Sequence, residues 1–114
     1  MINGAHIVIY SKDAERDREF FRNVLGFPSV DAGHGWLIFA LPEAESAFHP
    51  IDDVERHELY LMCDNLRAEM ANLRAKGVDC TDVTEARWGS VTTIQLPGGG
   101  KLGLYQPKHP RPQR

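Results

Sequence analysis

At 114 residues the chain has the length of one domain, and its formal charge is −3 with a quarter of its residues charged. That length excludes a catalytic domain joined to a separate regulatory one, and the acidic balance argues against a nucleic-acid surface, which carries a basic stripe of phosphate-reaching Lys and Arg. No stretch approaches the roughly 18 apolar residues of a membrane span, and MINGAHIVIY lacks a charged leader region, so a soluble cytoplasmic protein with a small-molecule partner is expected.

In chain order, residues 4–10 (GAHIVIY) are β-branched and aromatic and predict a strand, with His6, Val8 and Tyr10 on one face and Ile7 and Ile9 on the other. From Asp13 to Leu25 the apolar positions Ala14, Phe21 and Leu25 follow helical spacing, with Glu15 in the first turn and Arg22 in the last, so a helix should cover the Ile7 and Ile9 face. After Gly26 come a short strand over 27–30, a turn through DAGHG, a strand over 36–41 and a weaker one over 46–49, with Pro42 marking the break. PIDDVER is a polar linker. ELYLMC is again a strand, and Leu66, Met70 and Leu73 at i, i+4 and i+7 set a second helix closed by Gly77. Strands over 78–82, 90–96 and 101–105 finish the chain, with PGGG as a hairpin turn; it leads into a strand and so offers no helix N-terminus to hold a phosphate.

The two halves repeat one another. HIVIYSKDAERDREFFRNVLG (6–26) and HELYLMCDNLRAEMANLRAKG (57–77) each place an Asp seven residues after the His, at Asp13 and Asp64 as helix N-caps, and a Gly twenty after it. Leu41-Pro42 with Phe48-His49-Pro50 then matches Leu96-Pro97 with Tyr105-Gln106-Pro107. Solenoids need about three or more copies, so two copies predict one pseudo-symmetric domain over 1–114, with units 1–50 and 55–107 and a flexible tail 108–114 holding the basic cluster Lys108, Arg111 and Arg114. The class is α+β: two tandem β-α-β-β-β units forming a curved mixed sheet with the helices on its outer face, the other side left to curl around something. Each half alone is marginal, so the halves share a core or pair with a second chain; an open sheet face gives a motive for a homodimer.

This repeat, with HIVIYSKD leading to FFRNVLGF, HELYLMCDNL leading to LRAKGV, and the ending LPGGGKLGLYQP, resembles the vicinal oxygen chelate superfamily, which includes glyoxalase I, extradiol dioxygenases and the fosfomycin and bleomycin resistance proteins. The likeness runs from Gly4 to Pro107. It also implies a homodimer, and a cup holding a divalent metal (Fe, Mn, Ni or Zn) on up to four ligands, one from the first and one from the last strand of each unit. Two of these positions carry over as His6 and His57. The others fall on Gly103, where the family places a Glu, and on Ser46 by alignment of the repeats. Two neutral imidazoles without a carboxylate bind a divalent ion weakly, unless a bidentate substrate, Asp31, Glu43 or Glu45 completes the set.

Trp36, Phe39, Phe48, Tyr60, Trp88 and Tyr105 are numerous for so small a cup, and most should be core. Trp88, in a loop beside Gly89, could close over an aromatic ligand or plug the core. His49 should point away from the cup, His34 is a turn residue, His109 belongs to the tail, and Cys63 and Cys80 are reduced thiols. Two functions follow. One is a metal-free binding protein of the bleomycin-resistance kind, its ligand held by Phe48, Tyr105, Trp88, Ser46 and Gly103. The other is a metal-dependent lyase, isomerase or dioxygenase acting on vicinal oxygens through a metal on His6 and His57.

Overall fold

The computed structural model describes residue 3 and residues 5–112; Gly4, which opens the first expected strand, and Arg114 of the tail lie outside the described residues. Asp13 caps helix α1 (Ala14–Asn23) by accepting from the Arg16 N–H at 3.2 Å. Helix α2 (Leu66–Ala75) is capped by Asn65, which accepts from the Ala68 N–H at 3.1 Å. The expected cap Asp64 stands one residue outside. Both side chains are short acceptors, and the helix takes the one whose backbone is extended at the turn; such a cap stabilises by about 1 kcal/mol. Gly77 ends α2 at φ +80°, donating to the Arg74 carbonyl at 2.9 Å while the Val78 N–H reaches Leu73, the paired bonds of a Schellman turn.

Strands β1 (Ser29–Asp31) and β2 (Leu37–Phe39) form an antiparallel hairpin. Its turn carries His34 at φ +56°, as expected for a turn residue. A second sheet has the order β3-β6-β5-β4, from β3 (Tyr60–Met62), β4 (Thr84–Ala86), β5 (Gly89–Gln95) and β6 (Lys101–Pro107). It is mixed: β3 runs parallel to β6, and the other pairs are antiparallel. The class is α+β with a curved mixed sheet, and the second unit has the expected β-α-β-β-β order.

The first unit departs from expectation. Residues 5–10 and 46–49 form no strand, and Tyr10 and Phe48 are 94% and 97% exposed. Ile7 and Ile9 are exposed too, so α1 does not cover them. Strand propensity is realised only against a pairing edge, and these segments find none among the described residues. The segment 78–82 makes a single bridge, Cys80 to Ile94, while β4 forms inside the stretch read as loop.

Burial alternates along β5 and β6, and this assigns the two faces of the larger sheet. Thr92, Ile94, Leu102 and Leu104 are buried against Phe20 and Phe21 of α1 and Leu66, Met70 and Leu73 of α2, in one shared core. Each such fully buried aliphatic side chain stabilises by roughly 1.5–3 kcal/mol. The two units are also joined by a polar tie. The buried carboxylate of Asp17 in α1 accepts from the Ser11 hydroxyl at 2.6 Å and from the Gly98 N–H of the PGGG turn at 2.8 Å. That turn is the expected hairpin, with the Gly99 N–H donating to Leu96 at 3.0 Å.

Candidate functional site

On the other face of the sheet, away from the helices, β3 and β6 bring forward Tyr60, Met62, Gly103 and Tyr105, with Tyr60 paired to Gly103 and Met62 to Tyr105. A Cβ built on Gly103 would fall against three carbons of the Tyr60 ring, so the ring lies down across the neighbouring strand where no side chain opposes it. A second glycine acts alike: a Cβ on Gly89 would stand 2.6 Å from the Gln106 carbonyl and 3.0 Å from Tyr105 Cδ2. Gly89 thereby lets the β4–β5 turn, Arg87-Trp88, close down beside Tyr105.

The result is a cluster of three rings meeting edge to face. Trp88 and Tyr105 have centroids 5.2 Å apart, Tyr60 and Tyr105 5.9 Å, and Tyr60 and Trp88 6.2 Å, with interplanar angles of 80°, 89° and 79°. Each such contact is worth about 0.5–1.5 kcal/mol beyond area burial. The cluster is nevertheless open to solvent, Trp88 at 38% and Tyr60 at 40%.

The C-terminal residues border this cluster. The Lys108 N–H donates to the Trp88 carbonyl at 2.9 Å, and Lys108 Nζ donates to Glu85 at 2.7 Å. With the Ser90 hydroxyl donating to it as well, Glu85 is held below the usual glutamate range, the Lys108 bond being the larger cause. His109 Nε2 lies 3.1 Å from the Tyr105 hydroxyl, and Arg111 Nε donates to Glu45 at 2.9 Å. The Tyr60 hydroxyl donates to Glu58 at 3.3 Å. Burial, then Glu58, raises Tyr60 above the ordinary phenol pKa; burial, then Glu45, does the same for Tyr105. Both phenols therefore keep their protons at neutral pH.

Of the residues singled out in the sequence, Trp88, Tyr105 and Gly103 come together on this face. Ser46 and Phe48 lie on an exposed extended segment whose neighbour Glu45 bonds to Arg111. His6 and His57 are both exposed, and among the described residues no three His, Cys, Asp or Glu side chains converge as metal ligands. With the Tyr60 ring occupying the space beside Gly103, the donors of one chain do not fit the metal centre implied by the resemblance. The expectation that most aromatics are core is corrected. Trp36 is exposed, with the Arg18 guanidinium 4.9 Å from its ring, and the two tyrosines and Trp88 sit at the surface. Cys63 and Cys80 are free, and burial raises both thiols above the ordinary range.

The sequence did not single out Tyr60 for the site and placed His109 in a tail. The available signal was the pairing of an aromatic residue in one strand with a glycine in the strand beside it, which a parallel register between the first and last strands of the unit brings opposite each other.

No protein-family model and no curated protein matches the sequence. Among solved structures, the chain is similar to TnmS3, an antibiotic binding protein from Streptomyces sp. CB03234, at a TM-score of 0.65 and 24% identity, covering 95% of this chain and 100% of that one. It is similar to a lactoylglutathione lyase from Agrobacterium tumefaciens at a TM-score of 0.68 and 14% identity, covering 91% and 92%. A glyoxalase/bleomycin resistance protein from Streptomyces sp. CB03234 matches at 0.59 and 25% identity over 84% and 93%.

Proposed function

The chain has the fold of the glyoxalase/bleomycin resistance/dioxygenase superfamily, that of the vicinal oxygen chelate proteins, and from that premise we propose that it binds a small, flat organic ligand on the open face of its sheet. The observation that carries this reading is the solvent-open cluster of Tyr60, Trp88 and Tyr105. Aromatic rings held rigid by one another give a ligand large contact area with little ordering cost. Tyr60, Trp88 and Tyr105 form the floor, Gly103 gives the Tyr60 ring the room to lie flat, and Phe48 and Ser46 close over the ligand from the segment that Glu45 tethers. The name of TnmS3 as an antibiotic binding protein supports this class of function.

A homodimer belongs to the same reading. A folded monomer of 12.8 kDa exposes about 6,300 Å², whereas this chain exposes 9245 Å². The excess is about 2,900 Å² per chain, or about 5,800 Å² for two chains, at the upper end of obligate dimer interfaces. It includes Ile7, Val8, Ile9, Tyr10, Ile51 and Val54 on the unpaired segments. A second copy that pairs those segments would supply the missing strands of the first unit and bring a His6 face towards the site.

The test uses a Trp36→Phe protein, in which Trp88 is the sole tryptophan, titrated with a panel of planar aromatic compounds. Saturable quenching of Trp88, weakened five-fold or more by Tyr105→Ala, is expected. A panel without saturable quenching would refute the reading. The alternative, a metal-dependent lyase, isomerase or dioxygenase, rests on the matched placement of His6 and His57 in the two repeats. Stoichiometric Fe, Mn, Ni or Zn in the protein, lost in the His6→Ala, His57→Ala variant, would put that reading first.

A further inference from the structure

Resting on the ligand site proposed above, we infer that His109 makes the site selective for aromatic ligands that donate hydrogen bonds, such as phenols, aromatic amines and N–H heterocycles. The argument starts at the imidazole. His109 Nδ1 lies 2.8 Å from the Pro110 carbonyl oxygen, and a carbonyl can only accept, so Nδ1 carries the ring proton. In the neutral ring Nε2 is then an acceptor, and the Tyr105 hydroxyl, 3.1 Å away, must donate to it. The Tyr105 oxygen is left with lone pairs and no free proton.

Tyr60 is in the same condition, its proton directed to Glu58 Oε1 at 3.3 Å. Because both phenols stay protonated at neutral pH, neither offers a ligand a full negative charge. What the cluster presents is an aromatic surface edged by two phenol oxygens that can only accept. A ligand hydroxyl or amine N–H satisfies them, whereas an ether or carbonyl of the same shape sets oxygen against oxygen and leaves both unsatisfied.

His109 holds its place through its neighbours. Lys108 is bonded to the Trp88 carbonyl and to Glu85, and Arg111 to Glu45, whose second oxygen is 4.0 Å from His109 Nδ1. His109 is thus a positioning residue: it fixes the direction of the Tyr105 proton without itself meeting the ligand's ring.

The test is equilibrium dialysis of the full chain against 2-naphthol and 2-methoxynaphthalene, which share the ring and carry on the oxygen a proton or a methyl group; the change of their ratio between wild type and variants, in which any effect of the methyl is common, is the readout. The wild type is expected to bind 2-naphthol about five-fold or more tightly, the value of one neutral hydrogen bond. His109→Phe frees the Tyr105 proton to serve the ether, leaving only Tyr60 confined to accepting, and should lower the ratio by about two-fold or more. His109→Gln keeps an acceptor and should keep the preference, which a merely structural loss would not. Tyr105→Phe should lower it, as His109→Phe does, to the share that Tyr60 supplies. Equal binding of the two probes by the wild type, or an undiminished preference in His109→Phe, would overturn the inference while leaving an aromatic site. Binding of neither probe would overturn the inference together with the ligand site on which it rests.

Discussion

Replacing Gly103 by alanine adds one methyl group at a place already taken by the Tyr60 ring. Even Cγ, the farthest of the three ring carbons in contact, would stand 2.8 Å from the new Cβ, inside any tolerated carbon contact, and the ring belongs to the strand paired directly with β6. Tyr60 must therefore swing out, giving up its edge contacts with Trp88 and Tyr105. Overpacking of this kind costs about 1–3 kcal/mol, which in a domain of this size lowers Tm by about 4–18 °C. Thermal melting followed by near-ultraviolet circular dichroism reads both the loss of stability and the disturbed tyrosine and tryptophan environment. In Tyr60→Ala, Gly103→Ala the methyl fits the vacated space, so a double-mutant cycle should show coupling of at least about 1 kcal/mol. A Gly103→Ala protein melting within about 2 °C of the wild type, or a cycle with no coupling, would refute the argument. The same geometry predicts that Gly103→Glu gains metal affinity only if Tyr60 leaves, so Tyr60→Ala, Gly103→Glu should bind divalent metal more tightly than Gly103→Glu alone.

Asp17→Asn keeps the shape of the tie between α1 and the PGGG turn but removes its charge, and charge-assisted bonds contribute about 1.5–3 kcal/mol; a denaturant midpoint unchanged from wild type would count against it. For Glu85, the folded pKa is depressed by Lys108 and Ser90, so its contribution is present above the unfolded value and is lost as pH falls through the folded one. Amide exchange of the Lys108 N–H should accordingly quicken, relative to its intrinsic rate, as pH falls below the usual glutamate range, and Glu85→Gln should abolish that acid step; an identical profile in the variant would show that the Lys108–Glu85 bond does not hold the Lys108 backbone on Trp88.

The helices and their ends were legible in the residues. Phe21 on α1, Leu66, Met70 and Leu73 on α2, the Asp13 cap and the closing Gly77 are local signals, set by interactions within a few positions of sequence, and the chain folds accordingly at each. Asp64 and Asn65 show the limit of such reading, since two adjacent acceptors compete and only the local backbone selects between them. The strands were legible as propensity but not as pairing. GAHIVIY carries as strong a pattern as ELYLMC, yet only the second meets an edge, β6, to bond with.

The candidate site was legible in part for the same reason. Tyr105 and Gly103 could be chosen from the repeat and the family likeness, and Trp88 from its place in a loop beside Gly89. That Tyr60 fills the place beside Gly103, and that His109 receives the Tyr105 proton, depends on which strands lie side by side and where the chain runs after β6. The sequence by itself determined the α+β class and the presence of the two helices, since these follow from periodicity and capping chemistry along the chain. Only the tertiary structure decided which face of the sheet stays open and which rings meet on it, because a β-strand is completed by a partner distant in sequence and its residues do not specify that partner.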